Sequence, residues 1–144
     1  MNDMDSLFSY RFQQAEDTLS EAEKMLTDNA YSARTIINRA YYSMYYAVQA
    51  LFIRTGHQLK TSKHSGVIAI FDHEFVKTGL FDKGLSKIFH KAFDDRQEFD
   101  YKEFVVAARE DAVETVKGAQ EFIAEIKKFL ENNENVTNHT PGNR

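Results

Sequence analysis

The stretch from Ala33 to Phe52 constrains this chain more than any other. Read as a helix, it carries apolar side chains on most of its faces: Ala33, Ile36, Ile37, Ala40, Tyr41, Met44, Tyr45, Val48, Leu51 and Phe52. A helix that is apolar nearly all round lies at the centre of a helical core or also serves a subunit interface. The spacing predicts this helix over about 31–54, with Gly56 as its C-terminal stop. The one proline, Pro141, comes too late to interrupt any of the helices that surround it.

Those helices are legible from the same periodicity. Phe8, Phe12, Ala15, Leu19, Ala22 and Leu26 alternate steps of four and three and predict a first helix over about 5–28. A third is predicted over about 63–77, capped by Ser62, ended near Gly79, with Val67, Ile68, Phe71 and Phe75 inward. A fourth, about 83–98, is capped by Asp82, and a fifth runs over about 102–131 with Val105, Ala108, Ala112, Val116, Ala119, Ile123, Ile126 and Leu130 on one face. There is no strand pattern and no internal repeat. Long helices with short connections predict an all-α, antiparallel up-and-down bundle of about five helices. At 144 residues this is one domain over 1–131, followed by an Asn-rich polar tail, 132–144, expected to be disordered.

Composition removes several functions. With no cysteine there is no disulfide framework, thiol nucleophile or thiolate metal site, which fits a reducing cytoplasm. The acidic start, Met1-Asn2-Asp3-Met4-Asp5, does not read as a signal peptide, and no apolar run approaches the ~20 residues needed to span a membrane. Asn135-Val136-Thr137 and Asn138-His139-Thr140 match the glycosylation pattern by chance on that reading. A net charge of −4 argues against nonspecific coating of nucleic acid, although it permits a local basic patch.

The fourth helix carries the strongest anomaly. Its apolar stripe, Leu85, Ile88, Phe89 and Ala92, continues on the same face to Arg96, about three turns beyond Leu85. A guanidinium on a stripe meant for burial requires a carboxylate, a partner surface or a substrate. Asp94, Asp95, Glu98 and Asp100 are close in sequence; one of them neutralises Arg96 on the simplest reading, and as a group they read as a solvated helix end rather than a Mg²⁺ site. Lys83, Lys87 and Lys91 form a ridge about 140° around the helix from Arg96, so one flat surface does not easily hold both.

On the second helix, Arg34, Asn38, Tyr41 and Tyr45 make a polar and phenolic stripe. Taken singly, the tyrosines read as core rings whose hydroxyls reach the surface, and Arg34 as solvated. Asn38 and Arg39, in so apolar a helix, must be paired if buried. His64 opens the third helix; a lone histidine is more often structural than catalytic. The five histidines, at 57, 64, 73, 90 and 139, lack ligand spacing, so no metal and no cofactor is expected.

Together these residues resemble the HEPN family, small helical domains of prokaryotes that often accompany a minimal nucleotidyltransferase. The resemblance spans roughly 5–130. It rests on Asn38-Arg39-Ala40-Tyr41-Tyr42-Ser43-Met44-Tyr45-Tyr46-Ala47, on Lys63-His64-Ser65-Gly66-Val67, and on Arg96 through Asp100-Tyr101, the pattern of the branch with Arg-x-x-x-Asp-Tyr. It implies a homodimeric bundle in which the two fourth-helix motifs meet near the interface. Family members of the ribonuclease type carry Arg, four to six residues, then His, and pair these residues across two subunits in a metal-independent RNase site, often as a toxin. Arg96 carries over. Position 101 is Tyr instead, and no histidine follows Arg96 until His139. Tyrosine lacks the near-neutral pKa suited to acid–base work. The resemblance also implies that a partner nucleotidyltransferase adds AMP to a tyrosine beside the motif, a part that falls to Tyr101.

Three functions follow as expectations. The first is a cytoplasmic homodimeric module working with a nucleotidyltransferase in a toxin–antitoxin-like system. It binds nucleotide or RNA at Arg96, Asp100 and Tyr101, with Asn38, Arg39 and His64 as further binding residues. The second is an active metal-independent RNase toxin with Arg96, Tyr101 and Asp100 as its catalytic residues, Arg96 holding the scissile phosphate and Tyr101 or His64 helping. The third is a structural partner subunit in which Arg96 is an interface ion pair.

Overall fold

A computed structural model describes residues 2–57, 63–102 and 104–139. Among them are five α-helices, α1 (Asp3–Leu26), α2 (Ala33–Thr55), α3 (His64–Phe71), α4 (Lys83–Tyr101) and α5 (Arg109–His139), one π-helical turn (Asp72–Val76), and no strand. The chain is all-α, as its periodicity predicts. The ends of α2 show why it starts and stops where it does. The Ser32 side chain accepts from the Thr35 amide, and Gly56, at φ +77°, adopts the left-handed conformation that lets the chain leave the helix.

α2 is the central helix and packs against α1, α4 and α5. Neighbouring pairs fix the directions. Asp5 meets Arg54 while Glu21 meets Arg39, so α1 and α2 are antiparallel. Asn38 meets Asp100 while Tyr41 packs on Phe89, so α2 and α4 are antiparallel too. Glu16 with Lys127 and Glu23 with Gln120 set α5 antiparallel to α1. The result is an up-and-down arrangement of α1, α2, α4 and α5. The third helix is a short insertion rather than a full member.

The third helix departs from its expected range. It holds α-helical geometry only to Phe71 and then widens into the π turn, closed by the Lys77 amide on the Asp72 carbonyl at 2.8 Å. Asp72 is held from α4 by Ser86 Oγ at 2.6 Å and His90 Nε2 at 2.5 Å, and Glu74 bonds His57 and His73. π turns of this kind occur frequently at functional sites. Ser62, the expected cap, lies outside the described residues.

Two further boundaries shift. α4 continues through Tyr101 instead of ending near Glu98, which keeps Asp100 on the helix four residues after Arg96. α5 begins at Arg109 rather than near Lys102; the Asp111 carboxylate accepts from the Ala108 amide and sets the first turn. Val105 is therefore outside the helix and only half-buried, and Phe104 is 94% exposed. At its far end α5 continues past Glu131 to His139, into the segment expected to be a tail; residues 140–144 lie outside the described ones.

The core is built on rings. Phe71 packs on Phe75, Phe81, Phe89 and Phe122, with centroids 5.5–6.0 Å apart. Full burial of each such side chain contributes roughly 1.5–3 kcal/mol.

Candidate functional site

Arg96 stands where its stripe predicts, one turn beyond buried Ala92 and two beyond buried Phe89, with its side chain 15% exposed. Its Nη2 donates to the Tyr42 hydroxyl at 3.2 Å. The guanidinium carbon lies 5.3 Å from the Tyr42 ring centroid and 5.7 Å from that of Tyr41. Nε is 3.3 Å from Asp100 Oδ2, so the two form an ion pair one helical turn apart. The N–H is not aimed at that oxygen, and Nε is buried without a hydrogen bond among the described residues. The pair is thus Coulombic on the Nε side, with a donor left unmet.

Asp100 Oδ2 also accepts from Asn38 Nδ2 at 3.3 Å. The amide expected to need a partner in α2 has this one. Arg39, one residue on, points about 100° away around the helix. It pairs with Glu21 of α1 at 3.0 Å, so this expected binding residue does not join the cluster around Arg96. Arg34 is exposed.

His64 does join it. Its Nδ1 is 2.7 Å from the Tyr41 hydroxyl, and its ring lies flat on Tyr45, centroids 4.2 Å apart and 8° from parallel. The Tyr42 ring meets it edge-on at 5.6 Å. His64 and Arg96 therefore flank the same two tyrosines, although sequence spacing places them on separate helices. Burial, and secondarily the Arg96 charge, lowers the His64 pKa, so the imidazole is neutral at physiological pH. Burial drives the Tyr41 and Tyr45 phenols upward, so both stay protonated.

The His64 shift has a direction that can be checked. The unfolded chain holds this proton at about pH 6.5 and the folded protein holds it less tightly, so unfolding takes up a proton below that pH. The corresponding stability is fully present above about pH 6.5 and is lost as pH falls towards the folded value. His64→Gln should melt with a shallower loss between about pH 7.5 and 5.5 than the wild type. Parallel melting curves for the two proteins would show that the imidazole does not titrate with folding.

Tyr101 is not brought to Arg96. Five residues further along the helix, it points about 140° away. It is 71% exposed and borders a shallow groove with Asp94, Gln97, Glu98 and Lys102. The lysine ridge is exposed, with Lys91 bonded to Asp95 at 2.8 Å. Among the described residues no three His, Cys, Asp or Glu side chains are placed to share a metal ion, and no helix is long and apolar enough to cross a membrane. Tyr42, whose hydroxyl accepts from Arg96, is the residue of the cluster that sequence reasoning passed over. Its signal was available, because it lies four residues after Asn38 on the same face.

This architecture defines a class: an all-α bundle whose central helix and fourth helix enclose an arginine among phenols, an amide, a carboxylate and an imidazole. The description HEPN domain matches residues 8–129, and the chain belongs to the HEPN family. It is 36% identical over 132 residues to a UPF0332 protein of Thermotoga maritima, covering 91% of this chain and 96% of that one. A UPF0332 protein of Archaeoglobus fulgidus is 30% identical over 130 residues, 90% and 99% of the two chains. A Methanocaldococcus jannaschii protein carrying the name "Putative toxin MJ0142" is 32% identical over 120 residues, 80% of each chain.

Proposed function

We propose that this protein is the HEPN component of a two-part, toxin–antitoxin-like system. In this reading it binds nucleotide or RNA at the Arg96 cluster and works with a minimal nucleotidyltransferase, as a cytoplasmic homodimer. The observation that carries it is the half-satisfied Arg96. A guanidinium this buried normally has every donor engaged, because an unmet buried donor costs about 1–3 kcal/mol. Here Nε makes no hydrogen bond, and Tyr42, Asn38 and His64 bring further polar atoms to the same place. A phosphate oxygen suits the outer, Nη side of the fork, whose hydrogen bond among the described residues is to the Tyr42 hydroxyl.

Tyr101 fits the part of AMP acceptor better than that of a catalyst beside Arg96. Its hydroxyl faces solvent, where a second protein has access to it. In the transfer, the phenolic oxygen attacks the α-phosphorus of ATP, pyrophosphate leaves, and the phenolic proton passes to solvent. Incubation with the partner enzyme and ATP should add the mass of one AMP, and Tyr101→Phe should stay unmodified. Wild-type protein of unchanged mass beside a demonstrably active partner would rule this role out.

A second reading, a metal-independent RNase toxin, is favoured by one observation: His64 flanks Arg96 across Tyr41 and Tyr42. The site then has an imidazole despite Tyr101 standing in the place of the motif histidine. The name of the M. jannaschii relative agrees with a toxin. Growth arrest on expression without the partner separates this reading from the first.

A further inference from the structure

Aromatic side chains divide by chemistry across this bundle. Phenylalanines fill the space where α3, the π turn, α4 and α5 meet. Tyrosines 41, 42, 45 and 46 occupy successive turns of α2 and meet His64. Burial explains a ring but not a hydroxyl, which costs free energy in a core unless it is bonded. Tyr41 and Tyr42 engage theirs with His64 and Arg96.

The five rings form two levels. Tyr41 and Tyr45 are buried and make a floor. Tyr42, Tyr46 and His64 are half-buried and stand on it. Tyr42 meets Tyr41 at 5.3 Å, and Tyr46 meets Tyr45 at 6.4 Å and Tyr42 at 5.9 Å. His64 lies flat on Tyr45. The rings are held by one another, so little side-chain entropy remains to be lost when something stacks on them. A cation borders the patch, Arg96 on the Tyr42 side.

We propose that Tyr42, Tyr46 and His64 form a stacking platform for the unpaired bases of single-stranded RNA, with a backbone phosphate held at Arg96. This rests on reading the Arg96 cluster as a nucleic-acid site, and it specifies the ligand. Rings set beside a cation suit a strand whose bases are free to stack, and because every base has a π face they select for unpaired bases rather than for sequence. A duplex, with its bases already stacked, does not fit.

The test compares binding of a labelled oligouridine with binding of an abasic strand of equal length and charge, using the full chain. The wild type should bind the RNA at least tenfold more tightly than the abasic strand, and more tightly than duplex RNA. Tyr46→Leu should lose about 5- to 150-fold, the range set by stacking one base, and Tyr46→Phe, which keeps a ring, should lose less. Equal binding of the RNA and abasic strands, both weakened by Arg96→Ala, overturns the platform but leaves the Arg96 phosphate site standing. Failure to bind either strand overturns the platform, and failure to bind ATP as well overturns the site reading with it. Should Tyr46→Leu fail to fold, the comparison of the two strands on wild-type protein still decides.

Discussion

Replacing Arg96 with alanine should weaken binding of ATP or a short RNA at least tenfold, and should abolish growth arrest in cells that the wild type arrests. A charge-assisted bond to a guanidinium contributes roughly 1.5–3 kcal/mol, and a tenfold loss needs about 1.4 kcal/mol. The substitution also leaves Asp100 with Asn38 alone, so some loss of stability accompanies it. A second variant separates the two effects. In Arg96→Ala with Asp100→Asn the stranded carboxylate is gone, so stability should largely return while binding does not. Arg96→Lys keeps the charge but not the planar fork, and should bind worse than wild type and better than alanine. Titration and thermal melting of the three variants read out binding and stability independently. Arg96→Ala that binds as tightly as wild type would leave the arginine a purely structural ion pair.

The largest expected effect on stability belongs to Phe71→Ala. Phe71 is fully buried at the end of α3 and touches four phenylalanines drawn from the π turn, the loop after it, α4 and α5. Removing the ring leaves a cavity at the point where the inserted short helix is joined to the bundle. The cost is about 3–5 kcal/mol, which for a chain of this size lowers the melting temperature by about 10–15 °C. Because α3 presents His64 to the tyrosines, the same substitution should also disturb the site some two turns away. Phe71→Leu should cost far less. A Phe71→Ala protein melting within about 3 °C of wild type, a shift of roughly 1 kcal/mol, would mean that the surrounding rings close the gap.

The bundle was legible because α2 repeats apolar residues on nearly every face, a pattern that only a central helix satisfies. Arg96 was legible because a charge interrupted a periodic stripe. The reading stopped where geometry depends on contacts distant in sequence. Nothing in Lys63-His64-Ser65 says that the imidazole will stack on Tyr45, nineteen residues earlier. Arg39 was placed beside Asn38 because they are adjacent, yet a step of about 100° sends neighbours to different faces. The end of α4 was set three residues short, which concealed that Asp100 shares the face of Arg96. Val105 and Ala108 continued the apolar period of α5 into a segment that is not helical, because a period does not distinguish a helix from the chain that leads into it.

The antiparallel pairing of α1 with α5 has a practical consequence. The first turn of α1 and the C-terminal turns of α5 lie at one end of the bundle, while Arg109 of α5 donates to the Leu26 carbonyl at the other. Tyr101 and the end of α4 share that second end, beside the start of α2. The N-terminal end of α1 and the C-terminal end of α5 therefore lie at the pole opposite the motif. A tether at that pole leaves Tyr101 and the end of α4 facing away from it, which suits single-molecule or surface-capture measurements of whatever docks there.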